Sequence, residues 1–210
     1  GCKQSNAFSN KNGEEPDIAI TSHEHSTMAV LYQQTAAEYR ALCYQAFNIA
    51  KYQLDESSKM LGGMKRHAIV VDIDETMLDN SPYEAKCILE NIGYPNGWDE
   101  WMNSSSAKAV PGALEFLRYA ESRKVDVFYI TNRKEEYRSQ TLKNLQQLNF
   151  PYATDDHLML KFESSSKKTR RDKVSASHLI VMLIGDNLND FSEVFEKKKM
   201  EERFDLTDKF

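Results

Sequence analysis

The chain has no apolar run that approaches the ~18 residues a membrane-spanning helix requires. It also has no basic excess, because 27 Lys and Arg face 32 Asp and Glu, which gives a formal net charge of −5 at pH 7. This acidic balance argues against a surface that binds a nucleic-acid polymer. With 210 residues, 40% of them hydrophobic and 28% charged, the composition is typical of one globular domain with a full core.

Cysteine is scarce, and one of the three cysteines stands at the very start of the chain. Cys2 lies in G-C-K-Q-S-N, and residues 1–20 are polar, which predicts a flexible N-terminal tether. This start resembles a mature bacterial lipoprotein, in which the cysteine carries lipid after signal-peptide removal. The alternative is a disordered terminus with a free thiol. Cys43 and Cys87 lie in helical patterns, and the sequence leaves open whether they pair or pack as small hydrophobic residues.

Helical and strand patterns alternate along the chain. Apolar residues recur at helical spacings from about His23 to Leu54, which predicts one long helix or two shorter ones. Later apolar runs alternate with helical patterns, which predicts βαβ units and a mostly parallel sheet. The predicted strands are residues 68–71, 125–130, 158–160 and 179–184, the last of them buried. Residues 83–92 are expected to be helical, 93–101 to form a loop, and K-K-T-R-R at 167–171 to be a solvated helix face.

The segment A-I-V-V-D-I-D-E-T at residues 68–76 is the most informative in the chain. Its apolar run suits a strand buried on both faces of a parallel sheet, and ligands gather at the carboxyl ends of such strands. Because residues i and i+2 of a strand point the same way, Asp72 and Asp74 should present two carboxylates to one crevice. A bound cation would compensate the two charges, and a reaction that needs both a nucleophile and a proton donor would explain why two carboxylates lie together. The alternative is a strand end whose acids meet water or cap a helix.

Other predicted strands also end in polar residues. Thr131 and Asn132 follow the second strand, Lys161 follows the third, and Asp186 and Asp190 follow the fourth. We expect all of them around one crevice, because parallel strands end at the same edge of a sheet. The carboxylates suit octahedral Mg²⁺, whereas the threonine hydroxyl and the lysine ammonium suit a phosphate.

These motifs together resemble the haloacid dehalogenase superfamily of phosphohydrolases. More narrowly, D-I-D-E-T-M-L-D-N-S-P-Y, A-V-P-G-A, T-N-R and G-D-N-L-N-D-F resemble bacterial class C acid phosphatases, outer-membrane lipoproteins that dephosphorylate nucleoside monophosphates and other small phosphomonoesters. The resemblance runs from about Glu38 to Arg203. It implies an α/β haloacid-dehalogenase-like Rossmannoid fold, with a mostly parallel sheet flanked by helices. It also implies a single phosphatase domain over 21–210, with a small helical cap from about 21–55 and 80–110.

The resemblance assigns the catalytic roles. It implies that Asp72 is the nucleophile, which forms an aspartyl phosphate, and that Asp74 protonates the leaving oxygen and then activates water. It implies that Thr131 and Asn132 hold phosphate oxygens and that Lys161 neutralises charge on the phosphate and the nucleophile. Within the superfamily, an acid at Asp74 favours phosphate-ester hydrolysis over dehalogenation.

The resemblance also implies a cofactor, a substrate and a location. Mg²⁺ would be bound by Asp72, the backbone carbonyl of Asp74 and Asp186, with Asp190 supporting the site from close by. The substrates would be phosphomonoesters, with nucleoside 5′-monophosphates preferred. The protein would be a 5′-nucleotidase of the bacterial cell envelope, held at the outer membrane by lipid on Cys2.

Substrate choice must come from residues beside the crevice. The candidates for contact with a nucleotide base are Tyr83, Trp98 and Trp101, although W-x-x-W at helical spacing is also typical of cap packing. A rival function is a surface lipoprotein that binds a ligand without useful turnover. The intact acidic and lysine motifs argue against that rival.

Overall fold

The computed structural model describes residues 26–60 and 65–209. The tether over 1–20 and the proposed lipid-bearing Cys2 lie outside the described residues, so both stay predictions. Within the described ranges, no helix combines the length and the apolar character needed to cross a bilayer.

A four-stranded parallel sheet forms the centre of the molecule, and its strands follow one another in the order β5-β4-β1-β6. A separate two-stranded antiparallel sheet pairs β2 with β3. The strands are β1 (Arg66–Val71), β2 (Leu78–Asp79), β3 (Lys108–Ala109), β4 (Asp126–Lys134), β5 (Leu158–Lys161) and β6 (His178–Ile184).

Helices connect these strands and cover the sheet. They are α1 (Thr27–Thr35), α2 (Ala37–Met60), α3 (Ser81–Glu90), α4 (Trp98–Ser104), α5 (Ala113–Ser122), α6 (Arg138–Gln147), α7 (Lys168–Ser177) and α8 (Met200–Thr207). The parallel sheet flanked by helices confirms the predicted α/β class.

Both faces of β1 are buried, as its continuous apolar run predicts. Ile69 and Val71 belong to the larger core, to which α2, α5 and α6 also contribute. Ala68 and Val70 point to the opposite face, where they pack in a second core cluster with Val174 of α7. Burial of each larger side chain contributes on the order of 1.5–3 kcal/mol, so β1 is firmly held between two layers.

The strand β6 differs from its prediction. Its run L-I-V-M-L-I predicts a buried strand, but its side chains are only partly buried and Leu179 is exposed. The reason is its position at the end of the strand order, where it pairs with β1 alone among the described strands. Hydrophobic content identified the strand correctly but could not show that it lies at an edge.

The helical segment before β1 divides into two helices. Ala36 has an extended backbone with φ −82° and ψ 123°, which ends α1 before α2 begins. Helix α1 contacts α3, whereas α2 contacts α5 and β6. Phe47 and Leu54 of α2 join the core of the sheet layer.

The segment over 93–101 is only partly a loop, contrary to the prediction. Gly97 has φ +72°, a left-handed conformation that favours glycine, and α4 begins at the next residue, Trp98. Together α3 and α4 form a small helical layer, which we call the α3–α4 layer. Its own cluster of buried side chains consists of Tyr83, Cys87, Trp98, Met102 and Tyr137.

Candidate active site

The carboxyl ends of β1 and β6 meet at one edge of the sheet. Asp72 follows β1 directly, and its backbone N–H donates to the carbonyl oxygen of Ile184 at 2.9 Å. This bond continues the ladder between the strands, so that Asp72 and Gly185 open the two loops side by side. Parallel pairing therefore brings together acidic motifs that are far apart in the sequence.

Three aspartates gather at this edge. Asp72, Asp186 and Asp190 each place one carboxylate oxygen within 4.8 Å of the others. The side chain of Asp72 is only 8% exposed, whereas Asp186 is open to solvent and accepts a hydrogen bond from Thr76 Oγ1 at 3.2 Å. Carboxylate oxygens are the ligands preferred by hard divalent cations, so the residues present fit a cation of that kind.

Asp190 reaches the cluster because residue 185 is a glycine. A Cβ atom at Gly185 would lie 2.3 Å from Asp190 Oδ2, well inside any permitted contact. The same Oδ2 accepts the backbone N–H of Asn187 at 3.1 Å, which folds the loop around the carboxylate. The glycine in G-D-N-L-N-D is therefore required by close packing.

The lysine next to the cluster is Lys167, and this corrects the prediction for Lys161. Lys167 is 4% exposed, and its Nζ is hydrogen-bonded to Asp72 Oδ1 and lies 2.7 Å from Asp190 Oδ1. Lys161 is the last residue of β5 and pairs in register with Lys134 of β4. Strand β5 lies two strands away from β1, so its end is poorly placed to reach Asp72.

Burial controls the charge of Asp72. It raises the pKa of this carboxyl to about 7, and the neighbouring charges of Asp190 and Asp74 act in the same direction. The ammonium of Lys167 lowers the pKa but does not outweigh the loss of water. A divalent cation bound to the cluster would favour the charged form, so the site is built to hold positive charge.

The basic run at 167–171 was predicted to be a solvated helix face. Its residues Lys167, Arg170 and Arg171 are instead buried in the site. Arg170 is buried and donates to the Thr131 carbonyl and to Asn132 Oδ1, the latter at 2.8 Å. Arg171 is also buried and donates to the Asp190 carbonyl at 3.0 Å. The start of α7 thus holds the loops after β1, β4 and β6. A charged run carries no hydrophobic signal, so the sequence pattern could not reveal this burial.

Asp74 lies beside the cluster but in a different environment. Arg133, which is buried, makes a two-point ion pair with it through Nη2 at 2.7 Å and Nε at 3.0 Å from Oδ1. Asn80 Nδ2 donates to the same oxygen at 2.8 Å, and Thr131 Oγ1 donates to Oδ2 at 3.3 Å. These donors fix the orientation of the carboxyl group. The predicted cation contact of Asp74 concerned its backbone carbonyl, and it stays a prediction.

Thr131 and Asn132 lie at the same end of β4, but they differ in exposure. Thr131 is buried, and its hydroxyl also accepts the backbone N–H of Arg133 at 3.1 Å. Asn132 is exposed, and its side-chain oxygen is held by Arg170. The T-N-R motif predicted no role for its arginine, although the buried ion pair of Arg133 with Asp74 is central to the site.

Two of the three predicted base-contacting residues, Tyr83 and Trp98, need correction. Tyr83 is 1% exposed and donates its hydroxyl to the Asn96 carbonyl at 3.1 Å, so its ring belongs to the core of the α3–α4 layer. Trp98 is also buried, edge-on to Tyr83 with ring centroids 4.9 Å apart. Trp101 is half-buried, and its indole N–H donates to Asn80 Oδ1 at 2.8 Å. The W-x-x-W spacing therefore reflects the packing of both tryptophans in the α3–α4 layer.

An exposed aromatic residue nearby was missed by the sequence analysis. Tyr94 is 65% exposed, and its ring lies 5.6 Å from that of Trp98. Another neighbour of Trp98 is the guanidinium of Arg133, which lies 6.0 Å from the ring centroid and is ion-paired with Asp74. The sequence feature that could have identified Tyr94 is its position as an aromatic residue in the loop between α3 and α4.

A parallel sheet with aspartates at the end of its first strand, and with a buried lysine against them, defines a haloacid-dehalogenase-like protein. The family model described as HAD superfamily, subfamily IIIB (acid phosphatase), matches residues 4–208. The chain belongs to this family of acid phosphatases.

Solved structures support the same assignment. The class C acid phosphatase of Bacillus anthracis with tungstate bound is 41% identical, with a TM-score of 0.86 over 90% of this chain and 80% of that chain. A second structure of the class C acid phosphatase from Bacillus anthracis is 42% identical, with a TM-score of 0.84 over 89% and 79% of the two chains.

A curated plant protein is more distantly similar. Acid phosphatase 1 of Solanum lycopersicum is 28% identical in an alignment 143 residues long, and the alignment covers 62% of this chain. The match spans 54% of the tomato protein, so this chain covers about half of that relative.

Proposed function

We propose that the protein hydrolyses phosphomonoesters with the help of a divalent cation, with Mg²⁺ the best match to the oxygen ligands. The observation that carries this proposal is the placement of Asp72, which is buried against Lys167 and within 4.8 Å of two further carboxylates. With Lys167 and a bound cation beside it, the Asp72 carboxylate can approach an anionic phosphate, and membership of an acid phosphatase family supports the same chemistry.

In the first step, an oxygen of Asp72 attacks phosphorus while the bond to the ester oxygen breaks. Asp74 gives its proton to the departing oxygen, so the alcohol leaves neutral. An aspartyl phosphate at Asp72 results. In the second step, Asp74 takes a proton from water, the water oxygen attacks phosphorus, and the bond to Asp72 breaks to release phosphate.

The chain's own residues supply much of the charge stabilisation. The ammonium of Lys167 screens the repulsion between the nucleophile and the phosphate. Asp72, Asp186 and Asp190 would hold the cation, which supplies Lewis-acid stabilisation of the phosphoryl oxygens. Thr131 and the exposed Asn132 are proposed to contact those oxygens as well.

The Bacillus anthracis relative with tungstate bound supports an oxyanion site in this fold. Tungstate resembles phosphate in shape and charge.

Nucleoside 5′-monophosphates are the proposed substrates. Tyr94 replaces Tyr83 and Trp98 as the residue proposed to contact the nucleotide base. An exposed ring can stack on a base for about 1–3 kcal/mol with little dependence on which base it is. Tyr94→Ala should therefore lower kcat/KM for nucleotides and spare a small aliphatic phosphate, which a comparison of the two substrates measures.

The decisive experiment compares wild type with Asp72→Asn. Wild type should release phosphate from a monoester panel, should lose this activity on chelation, and should regain it with Mg²⁺. The variant should stay folded by circular dichroism and bind tungstate without turning over substrate. A wild type that binds tungstate but releases no phosphate from any ester would favour the rival function of ligand binding without turnover.

A further inference from the structure

We propose that Trp101 and Asn80 are positioning residues that tie the orientation of Asp74 to helix α4. This inference rests on the proposed function, because it assumes that Asp74 is the proton donor. It concerns a hydrogen-bonded path from the α3–α4 layer to that carboxylate.

The path begins at the indole of Trp101. Its Nε1–H donates to Asn80 Oδ1 at 2.8 Å, and Asn80 Nδ2 then donates to Asp74 Oδ1 at 2.8 Å. An indole nitrogen can only donate, so the amide oxygen of Asn80 must face Trp101. The amide nitrogen is thereby turned toward Asp74, and the tryptophan fixes which atom the carboxylate meets.

Asn80 is used in an unusual way for its position. It precedes α3 at the N-cap, where asparagine side chains commonly accept backbone N–H groups of their own helix. Here the side chain makes no capping bond, and only 2% of Asn80 is exposed. Its backbone N–H donates to Glu75 Oε1 at 2.8 Å, which further fixes the residue beside the D-I-D-E-T loop. Its Nδ2 also donates to Glu75 Oε2 at 3.2 Å, so the side chain links Trp101 to Asp74 and to Glu75.

Two structural layers hold Asp74, and both reach the same oxygen, Oδ1. Arg133 binds it from β4 and is itself anchored to Thr141 Oγ1 of α6 at 3.2 Å. Asn80 binds it from the α3–α4 layer. Loss of the Asn80 contact should remove one of the donors that orient Oδ1, and the carboxyl group should then be less well placed for proton transfer.

The test exploits the leaving group, because only a poor leaving group depends strongly on the proton donor. We would measure kcat/KM of Trp101→Phe for glycerol 3-phosphate and for p-nitrophenyl phosphate, whose phenolate departs without full protonation. The expected result is a loss about tenfold larger for the alkyl ester, a fraction of the 10²–10⁴ that general acid catalysis supplies. Asn80→Ala, at the other end of the same hydrogen bond, should give the same pattern.

The matched control is Asn103→Ala. Asn103 also lies on α4 and also makes a side-chain hydrogen bond to another helix, with Gln140 Nε2 at 2.9 Å. Its loss should leave the ratio of the two substrates unchanged. In an Asp74→Asn background, Trp101→Phe should change the ratio no further, because the two residues act on one step.

An equal loss for both esters in Trp101→Phe and Asn80→Ala would reduce the path to ordinary packing and overturn the inference. No loss for either ester would overturn it as well. Both outcomes leave the proposed function intact if wild type is active. A wild type that hydrolyses neither ester would instead overturn the proposed function itself.

Discussion

At the residue scale, the charge balance around Asp72 is local. The carboxylate is largely withdrawn from water and lies against two other acidic groups, and Lys167 is the buried cation that contacts both Asp72 and Asp190. Removing one partner of a buried ion pair typically costs about 3–5 kcal/mol, because the remaining charge is left uncompensated. We therefore expect Lys167 to matter for stability as well as for the proposed catalysis.

This placement distinguishes two lysines. Lys167→Met should lower kcat by about 10²–10³, the usual effect of removing one preorganised charge-stabilising group, and should also lower the free energy of unfolding. Lys161→Met is the control and should retain nearly all activity, because Lys161 ends β5 beside Lys134. Steady-state kinetics at saturating Mg²⁺ measures both. A large loss in Lys161→Met alone would return the phosphate-binding role to the residue first chosen from the sequence.

At the element scale, the sequence predicted strands better than it predicted burial of charge. The apolar runs of β1 and β4 located Asp72, Asp74 and Thr131, because a strand end in a parallel sheet fixes where the next residues point. The run K-K-T-R-R was misinterpreted, since its burial depends on carboxylates and carbonyls contributed by distant loops. Hydrophobic periodicity contains no information about such partners.

The turn after β6 provides a test at this scale. Gly185→Ala should displace the Asp190 carboxylate, because the added Cβ would meet Oδ2 at 2.3 Å. A glycine-to-alanine change normally stabilises by about 0.4–1 kcal/mol where the backbone permits it, so a loss of stability here would have the opposite sign. We expect the variant to need more Mg²⁺ for half-maximal activity.

A Mg²⁺ titration of activity, with thermal unfolding measured in parallel, checks this expectation. Asp190→Asn is the natural comparison, because it keeps the shape of the side chain and removes the charge. Gly185→Ala could instead show the same Mg²⁺ dependence of activity and the same thermal stability as wild type. Residue 185 would then not lie in close contact with the Asp190 carboxylate.

At the scale of the whole molecule, the register of the sheet determines where the site forms. Ala68 pairs with Asp126 of β4, and Val71 pairs with Ile184 of β6, so the loops after all three strands open at one edge. The sequence predicted this convergence from the order of strands and helices. It could not predict that α3 and α4 would bury Tyr83 and Trp98, because their packing depends on contacts between these helices and Tyr137 near the start of α6.

Because the three clustered aspartates are the proposed cation site, we expect the stability of the whole fold to depend on the cation. A ligand that binds only the folded state at 100 times its Kd stabilises it by about 2.7 kcal/mol. For a domain of this size, that free energy corresponds to a rise in Tm of roughly 5–11 °C. Thermal unfolding of chelated protein, with and without added Mg²⁺, measures the shift.

The variant Asp186→Asn separates binding at the cluster from general effects of salt. It removes one of the mutually repelling carboxylates, so the chelated variant should be at least as stable as chelated wild type. It should also lose most of the rise produced by Mg²⁺, because a ligand is gone. Sodium chloride at matched ionic strength should produce no comparable rise in either protein. An undiminished rise in the variant would mean that Mg²⁺ stabilises the fold from a different position, and the cluster of Asp72, Asp186 and Asp190 would lose its assignment as the cation site.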